Sequence, residues 1–259
     1  LQSYRDVYNQ LKGNTQLTTQ APHAPKAADA VPPLIKSRWG QSEPYNKLTH
    51  YYTGCVATAM AQIMYYHQWP LRGQGSNSYT VNYEGQTRSA DFSQSQYAWE
   101  QMRPTYTYGS YTKQQEDAVA KLMSDVGISV YMQYTPNSSS AQNFAAAQAF
   151  RSYFDYDAAI VTKENEGNAH FLEVIQDELR KGFPLYISGN QRSGASGHAW
   201  VADGFDRDGL IHMNFGWDGQ ADGYYSLAAL NLSSSGTEFG GRPLSFNKQL
   251  LVILARPNK

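Results

Sequence analysis

The sequence predicts an α+β fold, helical in its first two thirds and built of antiparallel strands in its last third. Apolar residues recur at helical spacing in CVATAMAQIMYYH (55–67), and again over 113–126 and 171–181. Beyond Pro184 the period changes to two, in short runs separated by Gly/Asp turns. That segregation argues for helices packed on an antiparallel sheet, not for a doubly wound α/β fold.

The elements follow in order. Leu1–Lys12 can form a short helix with Tyr4, Val7, Tyr8 and Leu11 on one face. Thr15–Pro33 is rich in Thr, Ala, Pro and Gln and reads as a solvated linker, so residues 1–30 are expected to be a tail and the globular body to start near Val31. Thr53-Gly54 leads into a buried helix from about Gly54 to His67, with Cys55 in its first turn; Pro70 stops it. Gly73–Phe92 reads as a hairpin. Tyr97–Arg103 and Lys113–Val126 read as helices, the second ended by Gly127. Ile128–Tyr134 suits a strand, and Ser138–Tyr153 a helix capped by its serine run. Phe171–Lys181 is a further helix, ended by Gly182 and Pro184. Leu185–Ser188, His198–Gly204, Gly209–Phe215, Gly223–Leu227 and Gln249–Ala255 suit strands.

Composition narrows the function. The 259 residues make one large domain or two small ones. A net charge of −1 provides no basic field for a nucleic acid or an anionic membrane. No apolar run approaches the ~20 residues needed to span a bilayer. Cys55 is the one cysteine, which excludes an internal disulfide, cysteine-only zinc sites and iron–sulfur clusters. HExxH, Walker and G-x-S-x-G motifs are absent, so neither a metal nor a cofactor is expected.

Four features can carry chemistry. Cys55 opens a helix after a glycine, and a helix N-terminus favours the thiolate. Taken alone, it reads first as a small buried hydrophobe. Of the six histidines, His198 follows the glycine-rich SGNQRSGASG and starts a strand, a good place to present a base. His67, twelve residues beyond Cys55, lies roughly 18 Å along the helix. Asn214-Phe215-Gly216-Trp217 offers an amide to orient an imidazole and an indole to shield it, or simply a tight aromatic turn. Gln41 has a side-chain amide suited to holding an oxyanion, or is an ordinary surface residue. Asp203, Asp218 and Asp222 read as turn aspartates.

The order of these features is more specific than any one of them. Gln41, then TGCVATAMAQ (53–62), then GHAWVADG (197–204) and NFGW (214–217) resembles the papain clan, and within it the streptopain family of secreted bacterial cysteine proteases, interpain-like members in particular. The resemblance runs from about Val31 to the C-terminus. It implies a papain-like fold: a helical subdomain (about 31–135) carrying the cysteine, a β subdomain (136–259) carrying the histidine, and a cleft between them. It implies a secreted endopeptidase with Cys55 as nucleophile, His198 as general acid/base, Gln41 at the oxyanion, and Asn214 and Trp217 beside the imidazole. Ser140 and Gly197 match positions that line the family's cleft. Such proteases are made as zymogens, so residues 1–30 are either a tail or the remnant of a pro-region, and the expected partners are protein or peptide substrates and that pro-region. Phe215 stands where relatives carry tryptophan, leaving open which aromatic orients the ring. A papain-like cell-wall peptidoglycan amidase, and a carbohydrate-binding or adhesive module, are the competing readings.

Overall fold

A computed structural model describes residues 29–191, 197–227, 238–239, 242–243 and 246–259. The proposed tail helix and most of the linker therefore lie outside the described residues. Val31 is already part of the body: it exchanges backbone hydrogen bonds of 2.9 Å with Phe205 in both directions.

Helix α1 spans Cys55–His67. Gly54 enters it at φ 87, a backbone geometry that favours glycine, and a Cβ there would run into Met132. The hairpin follows as β1 (Ser76–Thr80) and β2 (Thr87–Asp91). The helix expected at Tyr97–Arg103 is only one 3-10 turn, Trp99–Gln101. There the Trp99 indole N–H donates to the Pro70 carbonyl, so tertiary anchoring replaces further helical bonds.

Helix α2 (Lys113–Ser129) begins with a complete capping box between Thr112 and Gln115. Gly127 does not end it. A Cβ at Gly127 would lie 2.0 Å from the Tyr134 hydroxyl, so the glycine is there for close packing. The strand expected over Ile128–Tyr134 shrinks to β3 (Gln133–Tyr134), paired with β4 (Ser139–Ser140). The serine run is thus strand and turn, not a cap, and α3 (Asn143–Tyr153) starts after Gln142 without a side-chain cap.

Tyr156–Thr162 forms β5, which the sequence pattern did not single out. Helix α4 (Lys163–Arg180) starts earlier than expected, capped by Thr162 and kinked at Gly167. Strands β6 (Leu185–Asn190), β7 (Gly197–Phe205), β8 (Ile211–Asn214) and β9 (Gly223–Tyr225) follow as expected; short β10 (Glu238–Phe239) and β11 (Arg242–Pro243) pair with each other. The last strand, β12 (Lys248–Pro257), inserts between β5 and β6. The main sheet reads β5-β12-β6-β7-β8-β9, antiparallel at every pairing.

Each face of this sheet has its own core. Tyr186, Ala199, Val201, Ile253 and Ala255 face α1, α2 and α3. Their strand neighbours Leu185, Ile187, Trp200, Ala202, Val252 and Leu254 pack with Phe171, Val174, Ile175 and Leu179 of α4. Burial on both faces explains why HAWVADGF is continuously apolar-rich instead of alternating.

Candidate active site

The site forms where the N-terminus of α1 meets the start of β7. The Ala199 backbone N–H faces the Cys55 thiol closely enough to favour its charged form, so the thiol lies near the residue that follows His198. Burial pushes the thiol pKa up; the Ala199, Val56 and Cys55 N–H groups pull against that rise.

His198 is 8% exposed and sits in an aromatic box. Trp217 lies over it at 4.5 Å between centroids, Phe246 at 5.4 Å, Trp200 at 5.9 Å and Phe215 at 6.2 Å. Its Nε2 is 2.8 Å from the Phe215 carbonyl oxygen. A carbonyl only accepts, so the hydrogen is on Nε2 and Nδ1 keeps its lone pair, the arrangement a base needs. Burial lowers the imidazole pKa to about 4, against the supporting Phe215 bond. Burial therefore favours the neutral forms of both Cys55 and His198 in this arrangement.

Asn214 hydrogen-bonds to groups other than the ring. Its Oδ1 accepts from Gln62 Nε2 at 3.0 Å and from the Gly216 N–H at 3.1 Å, and its Nδ2 donates to the Ser37 carbonyl at 2.8 Å. The ring's partner is the Phe215 main chain, which any residue supplies; phenylalanine in place of tryptophan leaves that bond intact. Gln41 is brought close to the nucleophile, since its carbonyl accepts from the Thr53 N–H at 3.0 Å, two residues before Cys55. Ser140 pairs with Gln133 in the hairpin whose Ser139 Cβ lies 3.3 Å from where a Gly54 Cβ would be. Gly197 pairs with Asn190 across β6–β7, and a Cβ on it would strike the Asn190 amide oxygen at 2.5 Å. Cys55, Gly197, His198, Asn214 and Trp217 thus meet at the α1–β7 junction, and the main chain brings Gln41 and the Ser139–Ser140 strand beside the N-terminus of α1.

Others were missed. Gln62, fully buried, links α1 to the turn after β8 and also accepts from the Ser37 hydroxyl at 2.9 Å and the Trp39 N–H at 3.3 Å. Asp203 is buried in β7, not in a turn; it takes the Ile35 N–H at 3.1 Å and lies 2.6 Å from His212 Nδ1. Asp222 accepts from the Phe215 N–H at 3.0 Å, and burial raises its pKa to about 6. Buried side-chain amides and carboxylates give no periodic signal. Only the position of Gln62 within the TGCVATAMAQ block hinted at a role. His67 lies at the far end of α1, His170 between Glu166 and Glu173, and His50 in the loop before α1. Among the described residues no cluster of three or more His, Cys, Asp or Glu side chains can hold a metal ion.

A helix-borne thiol set against a strand-borne imidazole, on a helix-plus-antiparallel-sheet scaffold, defines a papain-like cysteine peptidase. The chain belongs to the Peptidase C10 family, which its residues 39–225 match. It is 36% identical to streptopain of Streptococcus pyogenes over 98% of this chain and 70% of that protein. It is 31% identical to the thiol protease/hemagglutinin PrtT of Porphyromonas gingivalis over 83% of this chain but only 26% of PrtT. Active wild-type interpain A of Prevotella intermedia superposes with a TM-score of 0.79 at 36% identity, over 90% of this chain and 97% of the other. A fragment of prointerpain A from the same organism gives 0.74 at 34% identity, over 96% and 79%.

Proposed function

We propose that this cysteine endopeptidase cleaves protein substrates through Cys55 and His198. The observation that carries the assignment is the junction itself: a thiol at the N-terminus of α1, beside the residue after a histidine whose free lone pair is on Nδ1. His198 Nδ1 takes the thiol proton, and Cys55 Sγ attacks the peptide carbonyl. The helix N-terminus stabilises the thiolate as it forms. The Cys55 N–H and the Gln41 amide hold the oxyanion, His198 gives its proton to the leaving amine, and water then hydrolyses the thioester. Trp217 keeps water off the imidazole, and Asn214 acts through the main chain. Ser140 and Gly197 border the substrate on either side of Cys55.

Residues 1–30 act as a pro-region or its remnant, and the protein works outside the cell. The similarity to prointerpain A and streptopain supports both statements. Among the described residues no helix is long and apolar enough to cross a membrane.

Cleavage of denatured casein in the presence of a thiol reductant, comparing wild type with Cys55→Ala and His198→Ala, tests the reading. Fragments from the wild type alone are expected. Near-wild-type cleavage by Cys55→Ala overturns the mechanism. Amine release from peptidoglycan with casein left whole replaces the protein substrate by a cell-wall one.

A further inference from the structure

His198 is held by the main chain, which raises the question of what holds that main chain. The Phe215 carbonyl and the Gly216 N–H belong to one planar peptide unit, so fixing the N–H fixes the direction of the carbonyl. The Gly216 N–H donates to Asn214 Oδ1 at 3.1 Å, and Gln62 Nε2 donates to the same oxygen at 3.0 Å. Gln62 stands seven residues after Cys55 on α1, about two turns along the helix that carries the nucleophile. Its Oε1 is fixed in turn by the Ser37 hydroxyl and the Trp39 N–H. On the preceding peptide, Asp222 accepts the Phe215 N–H at 3.0 Å. Two successive peptide units are thus clamped by buried or half-buried side chains.

From this geometry we infer that Gln62 and Asp222 are positioning residues for His198: they set the peptide plane whose carbonyl receives the Nε2 hydrogen. Their hydrogen bonds go to Ser37, Trp39, Asn214 and Phe215, not to the ring or the thiol. Gln62 also ties the position of that plane to the helix bearing Cys55, so the two halves of the reacting pair share one strut. The inference rests on the assignment of Cys55 and His198 above.

Gln62→Met keeps the length of the side chain and removes its donor and acceptor. Asp222→Ala removes the acceptor of the Phe215 N–H, whereas Asp222→Asn retains an oxygen for it. With fold checked by thermal melting, kcat and KM on a fluorogenic peptide are measured, together with the rate of Cys55 alkylation by iodoacetamide across pH. Gln62→Met and Asp222→Ala should lower kcat by about 10²-fold, the usual cost of displacing a reacting group by about 1 Å, with KM little changed. The alkylation profile should move to higher pH, because a displaced imidazole accepts the thiol proton less readily. Asp222→Asn should stay close to wild type in both. Folded variants that keep the wild-type kcat and alkylation profile, or that change KM alone, overturn the inference. If Asp222→Ala does not fold, Gln62→Met decides by the same criteria. Hydrolysis that needs Cys55 and His198 but ignores Gln62 and Asp222 defeats the positioning role only; hydrolysis that survives Cys55→Ala defeats the underlying assignment as well.

Discussion

Replacing His67 by phenylalanine should make the fold more tolerant of acid. His67 ends α1 far from Cys55, among Tyr66, Tyr156 and Phe183, and its Nε2 is buried with no hydrogen-bond partner. Burial, aided by the Lys259 charge, lowers its pKa from 6.5 to about 4. The folded state therefore resists a proton that the unfolded chain accepts. Stability from this group is complete above about pH 6.5, falls as pH drops towards about 4, and is level below that. A displacement of that size is worth about 3 kcal/mol. At about 2–4 °C per kcal/mol for a chain of this size, the melting temperature should drop about 6–12 °C further in the parent than in His67→Phe between about pH 7.5 and pH 4. Differential scanning calorimetry in a Cys55→Ala background measures this free of self-digestion. His198, also lowered to about 4, titrates in both proteins and cancels in the comparison. Parallel melting curves across that range, or a variant more acid-labile than its parent, would refute the electrostatic argument.

Other substitutions probe the rest of the molecule. Cys55→Ala should abolish turnover on a peptide substrate, whereas Gln41→Ala should lower kcat about 10²–10³-fold, as loss of one oxyanion donor does. Gly127→Ala forces a Cβ against the Tyr134 hydroxyl and should cost about 1–3 kcal/mol in urea unfolding. Because that hydroxyl is buried and unpartnered, Tyr134→Phe should recover much of the loss in the double variant. Glu178, 1% exposed, accepts from Arg256 Nε at 2.9 Å and from Lys181 Nζ at 3.1 Å; Glu178→Ala strands the guanidinium and should cost about 3–5 kcal/mol by the same assay.

The sequence was readable wherever the pattern is local. Helix α1 and strands β6 to β9 carry their own periodicity and turn residues, and the order Gln41, Cys55, His198, Asn214 and Trp217 marks the candidate site. What escaped depends on distant partners. Tyr156–Thr162 contains two alanines and an aspartate and is a strand because residues 251–257 pair along it. The Ser138–Ser140 run has cap chemistry, but pairing with Gln133 and Tyr134 takes precedence. Gly127 carries a stop signal that close packing of Tyr134 explains instead. At the site, Asn214 was expected to touch the imidazole; it sits one covalent step away because the neighbouring carbonyl makes that bond. Gln62 and Asp222 were illegible as a pair, since 160 positions separate them and the one peptide segment they share is formed only by the fold.

The placement of β12 has a consequence for biosynthesis. That strand hydrogen-bonds to β5 on one side and β6 on the other, and β5 and β6 are not themselves paired. A nascent chain that has not yet released residues 248–257 from the ribosome holds its sheet in two unjoined pieces, with β7 and its histidine on one of them. Joining them closes loops of many residues at once, a slow, non-local event. Completion of the sheet, and of the apolar faces on which the helices pack, therefore waits until translation has passed β12.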